Sequence, residues 1–103
     1  MIRHIVLFRA RPGVPESEIA AILAELGAIR DRLPGILSFH GGRSESPEQI
    51  ERGYLHGFTM DFAGWEALAA YQAHPDHRRA AAALVAASAG GVDGILVFDL
   101  PCE

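Results

Sequence analysis

The chain has 103 residues, half of them hydrophobic, and a formal charge of −4, which fits a single domain over 1–103 with a modest core. All nine cationic side chains are arginine, a coding habit of GC-rich genes, and they form no basic stripe with interleaved aromatics, so nucleic acid is excluded as a partner. No apolar run is long enough for a membrane span, Arg3 and Arg9 interrupt the first apolar stretch unlike a signal peptide, and the lone Cys102 suits a reducing compartment, so a cytoplasmic protein is expected.

Met1 to Ala10 reads as a strand, with Ile2, His4, Val6 and Phe8 on one face and Arg3, Ile5, Leu7 and Arg9 on the other. Both faces are apolar in the middle, as in a sheet covered on both sides. His4 is either a satisfied strand-end histidine or a pocket group. A turn at Arg11–Val14 leads to a helix with Pro15 at its first position and Glu16 and Glu18 in its first turn. Ile19, Ile22, Leu23, Leu26, Ile29 and Leu33 repeat at helical spacing and form core, and Pro34-Gly35 ends the helix. Ile36 to Arg43 is a second strand, in which Gly41-Gly42 suggests a bulge or close backbone approach and His40 takes an exposed or edge position. Ser44 to Gly53 is a loop. Tyr54 to Phe62 is a third strand with Tyr54, His56, Phe58, Met60 and Phe62 on one face. Ile95, Val97 and Phe98 mark the last strand.

Between them, Gly64 to Ser88 would be one helix but for Pro75. Proline lacks the backbone N–H and pushes His74 towards an extended conformation, so the segment splits at Tyr71-Gln-Ala-His74-Pro75-Asp76-His77. Tyr71 falls in the last turn before the kink and His77 in the first turn after it, so the corner can aim two titratable groups into one space. Strand, helix, two strands, kinked helix, strand is a βαββαβ order. It implies an α+β fold: a four-stranded antiparallel sheet with the helices on one face. The opposite, partly apolar face needs cover, which a second copy in a symmetric homodimer supplies.

Three stretches carry a family likeness: Ile2-Arg-His-Ile-Val-Leu-Phe-Arg9, Gly53-Tyr-Leu-His-Gly-Phe58, and Tyr71 to His77. In this order and spacing they resemble the stress-responsive A/B barrel (Dabb) family over nearly the whole chain. The resemblance implies a ferredoxin-like fold and a dimeric α+β barrel. A plant polyketide-cyclising member of the family uses a tyrosine and a histidine at the positions of Tyr71 and His77, with pocket histidines at His4 and His56. Other members have no settled chemistry and share the His-Pro-x-His segment.

On the enzymatic reading, Tyr71 and His77 are the catalytic pair and no cofactor is needed. His77 moves a proton next to a substrate carbonyl and Tyr71 donates to the developing enolate. His4 and His56 then orient a small-molecule substrate against walls from Val6, Phe58, Met60, Trp65, Leu68 and Leu84. Cyclisation, isomerisation and lyase-type cleavage all fit; oxygen chemistry without a cofactor is a variant. The competing reading is a non-catalytic stress-response or ligand-binding dimer, in which His77 caps the second half-helix and Tyr71 bonds across the kink. A third reading has zinc held by His4, His56 and His77, or by His74 and His77. It lacks a carboxylate partner, and no metal site is assigned.

Overall fold

The computed structural model describes residues 1–103. Strand β1 (Ile2–Phe8) is followed by helix α1 (Glu16–Ala28), which ends in a 3-10 turn at Ile29–Asp31. Strands β2 (Ile36–Arg43) and β3 (His56–Phe62) precede α2 (Trp65–Ala73) and α3 (Pro75–Ala87), and β4 (Ile95–Pro101) closes the chain after a second 3-10 turn. The four strands form one antiparallel sheet in the order β2-β3-β1-β4. This is the α+β, ferredoxin-like arrangement read from the sequence.

The alternation expected for the first strand holds: Ile2, His4, Val6 and Phe8 are buried, whereas Arg3 and Leu7 are exposed. They pack with Met60 and Phe62 of β3 beneath Ile19, Ile22, Leu23 and Leu26 of α1. Each such side chain, fully removed from water, is worth about 1.5–3 kcal/mol. Ile29 is fully buried at the 3-10 turn, so the apolar stripe of α1 outlasts its α-helical hydrogen bonding. Pro15 is not the first helical residue; it precedes the helix with extended backbone at ψ 151°. β3 starts at His56, not Tyr54, because Tyr54 and Leu55 close a turn onto Glu51 and Gly53. The irregularity of β2 lies between Ile36 and Ser38, where Leu37 is the extra residue, and not at Gly41-Gly42.

Pro75 divides the second helical segment as its chemistry requires. His74 is extended (φ −71°, ψ 136°) and Pro75 opens α3. The cap is His74, whose Nδ1 accepts the Asp76 N–H at 3.1 Å; His77, the residue suggested for that role, does not cap. The end of α3 is closed by Ser88, whose hydroxyl donates back to the Leu84 carbonyl at 2.7 Å. Main-chain bonds tie residues 9–11 to Ala87, Ala89 and Gly94. All helices lie on one face of the sheet. The other face, carried by Leu7, Leu96, Phe98 and Leu100, stays exposed. No helix is long and apolar enough to cross a membrane.

Candidate functional site

A cavity of about 220 Å3 opens between α3, the kink and the β1–β4 end of the sheet. Its polar lining is His4, Tyr71, Gln72 and His77, and its apolar walls include Val6, Phe58, Leu84, Val85, Ile95 and Val97. No arginine and no carboxylate lines it, so it offers nothing to hold a phosphate or a strongly charged ligand.

The kink brings Tyr71 and His77 together. Tyr71, in the last turn of α2, is fully buried. Its ring lies 4.4 Å from that of His77 and 6.0 Å from that of His4, centroid to centroid. Its hydroxyl is buried and has no hydrogen-bond partner, so it does not bond across the kink. Burial pushes the phenol well above its usual pKa because the phenolate would lose its hydration. Tyr71 therefore stays protonated and can only be a hydrogen-bond donor or a neutral acceptor here.

His77 stands in the first turn of α3. Its Nδ1 is 3.1 Å from the Gln72 carbonyl oxygen, and a carbonyl only accepts, so Nδ1 carries the proton and Nε2 the lone pair. Burial lowers the pKa of His77, against the raising effect of the Gln72 bond and with the further lowering effect of His4. The ring is thus held neutral with a free basic nitrogen. It is His77, not Tyr71, that bridges the kink.

His4 reaches the cavity from β1. The register places Asp99 of β4 directly opposite it, and His4 Nδ1 donates to Asp99 Oδ1 at 2.5 Å. The bond fixes the ring and leaves Nε2 as the nitrogen not engaged by Asp99. Asp99 went unread in the sequence, although the signal was present: on the face that carries Ile95 and Val97, a lone carboxylate points inward. Gln72, Leu26, Ile95 and Val97 were likewise not anticipated as lining.

His56 does not join this group. It sits opposite Phe8 in the β1–β3 register, whereas His4 sits opposite Met60. Four residues of strand separate the two levels, about 13 Å. His56 stacks on Phe8 at 5.7 Å and its Nε2 lies 2.9 and 3.0 Å from the two carboxylate oxygens of Glu16, which also takes Arg43 Nη1 at 2.8 Å. The carboxyl of Glu16 is held below its usual pKa by His56 first and Arg43 second. Three other expected wall residues fall elsewhere. Met60 and Leu68 are core, and Trp65, the first residue of α2, is 56 % exposed. The metal sets considered from the sequence are not assembled either. His56 is remote, the imidazole of His74 is engaged as a cap, and no three His, Cys, Asp or Glu side chains converge.

The model of the stress-responsive A/B barrel domain matches residues 2–102. The stress-response A/B barrel domain-containing protein HS1 of Arabidopsis thaliana is 30% identical over 98 residues, 95% of this chain and 86% of its own length. A crystal structure of a dimeric ferredoxin-like protein of unknown function from Jannaschia sp. CCS1 has a TM-score of 0.92 at 36% identity and covers 98% of both chains. The hydroxynitrile lyase of Passiflora edulis shares the fold, with a TM-score of 0.84 at 20% identity over 99% of this chain and 93% of that one. With the family model matched over residues 2–102 and the fold of the solved relatives, this chain belongs to the stress-responsive A/B barrel domain family.

Proposed function

We propose that the protein is a cofactor-independent acid–base enzyme acting on a small, uncharged carbonyl compound. The carrying observation is the buried, unpartnered hydroxyl of Tyr71 beside a neutral His77 in one apolar cavity. Leaving a buried hydroxyl unbonded costs about 1–3 kcal/mol, a cost that a ligand oxygen recovers by accepting from Tyr71. With a carbonyl oxygen on Tyr71, His77 Nε2 takes a proton from the adjacent carbon. The electron pair moves into the enolate, Tyr71 stabilises the oxygen charge, and the proton returns to carbon or to a leaving group. His4, braced by Asp99, orients the carbonyl or relays the proton. The apolar walls exclude water and so strengthen each of these interactions.

Such a site serves cyclisation and isomerisation, which pass through the enolate, and retro-aldol cleavage, in which His77 takes the proton of a β-hydroxyl, the C–C bond breaks and its electron pair leaves as the enolate that Tyr71 stabilises. The substrate has to be small and largely apolar to enter about 220 Å3 lined in this way. We further take the working unit to be a homodimer formed through the outer sheet face, which exposes Leu7, Leu96, Phe98 and Leu100 and belongs to a fold found dimeric in the Jannaschia relative. A ligand-binding dimer without chemistry would use the same cavity, and one experiment separates the two. Small aryl and alkyl aldehydes and ketones are incubated with the protein in D2O, and deuterium entry next to the carbonyl is followed by NMR. Exchange above buffer that disappears in His77→Ala supports the enzyme. Binding of the same compounds with no exchange at any pH from 5 to 9 contradicts it.

A further inference from the structure

Between α2 and α3 a single residue, His74, leaves the helical conformation, and it is bonded in both directions. Its N–H donates to the Tyr71 carbonyl and its own carbonyl accepts the Arg78 N–H, each at 3.1 Å. Its Nδ1 accepts the Asp76 N–H, also at 3.1 Å. Pro75 brings no N–H, so Asp76 holds the first donor of α3, and the His74 ring takes it as a serine or asparagine cap would. The Asp76 carboxylate is near as well, with Oδ2 3.8 Å from the same nitrogen. That carboxylate is turned to Arg32, at 2.7 Å, and to Arg79, so the group facing Nδ1 at bonding distance is the N–H. Nδ1 therefore carries the lone pair, and the ring proton sits on Nε2.

His77, three residues on, holds the opposite tautomer, with its proton on Nδ1 and directed at the Gln72 carbonyl. That bond starts in α3 and ends in α2, so its length follows the angle between the two helices. Side chains at Arg32, Arg79 and His74 hold the first turn of α3. The two arginines reach Asp76 from the surface, with side chains 53 % and 68 % exposed, where water and salt screen the attraction. The side chain of His74 is 27 % exposed, and of the three only His74 is bonded to α2 and to α3 alike.

We propose that His74 is a positioning residue: its bond to the Asp76 N–H fixes the first turn of α3 and thereby holds His77 as the Nδ1–H tautomer, with Nε2 free to act as base. The catalytic part of this rests on the acid–base reading above; the part that concerns the His77 tautomer does not. Without the cap the first turn of α3 frays and the bond from His77 to Gln72 loosens. Nothing then sets which nitrogen of His77 carries the proton. A proton on Nε2 occupies the place where the substrate proton has to arrive. Tyr71 lies on the α2 side of the kink and keeps its hydroxyl in the cavity, so a carbonyl compound still binds while proton transfer slows.

The test compares His74→Ala with His74→Asn, whose side-chain oxygen replaces Nδ1 as the acceptor of the cap. Ring tautomers are read from long-range proton–nitrogen NMR spectra at about pH 8, above the ordinary histidine pKa, and His77→Gln assigns the His77 signals. The expected wild-type pattern is Nε2–H for His74 and Nδ1–H for His77. His77 becomes a mixture of tautomers in His74→Ala and returns to Nδ1–H in His74→Asn. In the deuterium-exchange assay His74→Ala loses about 10–100-fold in kcat, the scale of a misplaced reacting group, with KM unchanged, and His74→Asn restores it. A purely structural cap would lower the melting temperature of His74→Ala and leave the rest alone. A folded His74→Ala protein that keeps the Nδ1–H tautomer of His77, or the full exchange rate of an active wild type, therefore overturns the proposal. So does a wild type with the His74 proton on Nδ1. If His74→Ala does not fold, His74→Asn decides: a retained Nδ1–H tautomer of His77 supports the proposal and a mixture overturns it. If the wild type exchanges no carbonyl compound, the enzyme reading fails, and the tautomer spectra still decide the role of His74.

Discussion

The two buried histidines of the sheet began as equivalents and end as opposites. His4 and His56 both interrupt apolar strand faces, both are buried, and both meet a carboxylate. What separates them is position along the same face. His4 shares the level of Asp99, Tyr71 and the α2–α3 kink, so its ring closes a cavity. His56 lies at the far end, on Phe8, where its ion pair with Glu16 ties the first turn of α1 to the sheet. One residue type on one face lines a cavity at one end and anchors a helix at the other, and strand register decides which.

That contrast is open to direct attack. The largest effect is expected from His77→Ala, which removes the basic nitrogen of the cavity and should cut deuterium exchange by about 10²–10⁴-fold. Tyr71→Phe should cost about 10²–10³-fold in the same assay. Because the lost hydroxyl bonds to nothing, thermal stability should hold or rise by up to about 1 kcal/mol. A fall in melting temperature would assign the hydroxyl a structural role instead. Asp99→Asn should reduce exchange less than either, and should shift its pH profile, because the bond from His4 is weakened while the cavity walls remain.

At the other end, His56→Ala should leave exchange unchanged and lower stability by about 1–3 kcal/mol, through the lost stacking on Phe8 and the lost partner of Glu16. An exchange defect in this variant would erase the distinction between the two ends. The smallest effects are in pH. The pKa of His77 is lowered in the folded state, so the unfolded chain takes up the proton first. Its destabilising contribution is absent above the ordinary histidine value of about 6.5, grows as pH falls below it, and is complete below the folded value. Glu16 works in the same direction but lower, since its depressed pKa gives stability that is present above the ordinary carboxyl value and lost as pH falls through the folded one. Melting curves of wild type, His77→Gln and Glu16→Gln between pH 3 and 8 should resolve the two windows.

The architecture was legible because hydrophobic period and backbone chemistry carry it. Ile2 to Phe8 alternate, Ile19 to Ile29 repeat at helical spacing, and Pro75 must break its helix. The corner that brings Tyr71 beside His77 followed from that proline alone. What stayed hidden needs register or direction. Asp99 became meaningful only when β4 was found beside β1, and His56 left the site only when it was found opposite Phe8. Trp65 has the right spacing to join Leu68 and Tyr71, but it begins its helix and turns to solvent. The bulge at Leu37 depends on a pairing that no local pattern records. The exchange of roles between His74 and His77 at the cap depends on side-chain reach.

The central claim is that Tyr71 and His77 act on one ligand atom group inside the cavity. A crystal structure of the protein with a small aryl ketone tests it most directly. The expected result is the ketone oxygen within about 3 Å of the Tyr71 hydroxyl and the neighbouring carbon facing His77 Nε2, with His4 still bonded to Asp99. A ketone bound elsewhere, or oriented with its oxygen away from Tyr71, would contradict the acid–base assignment.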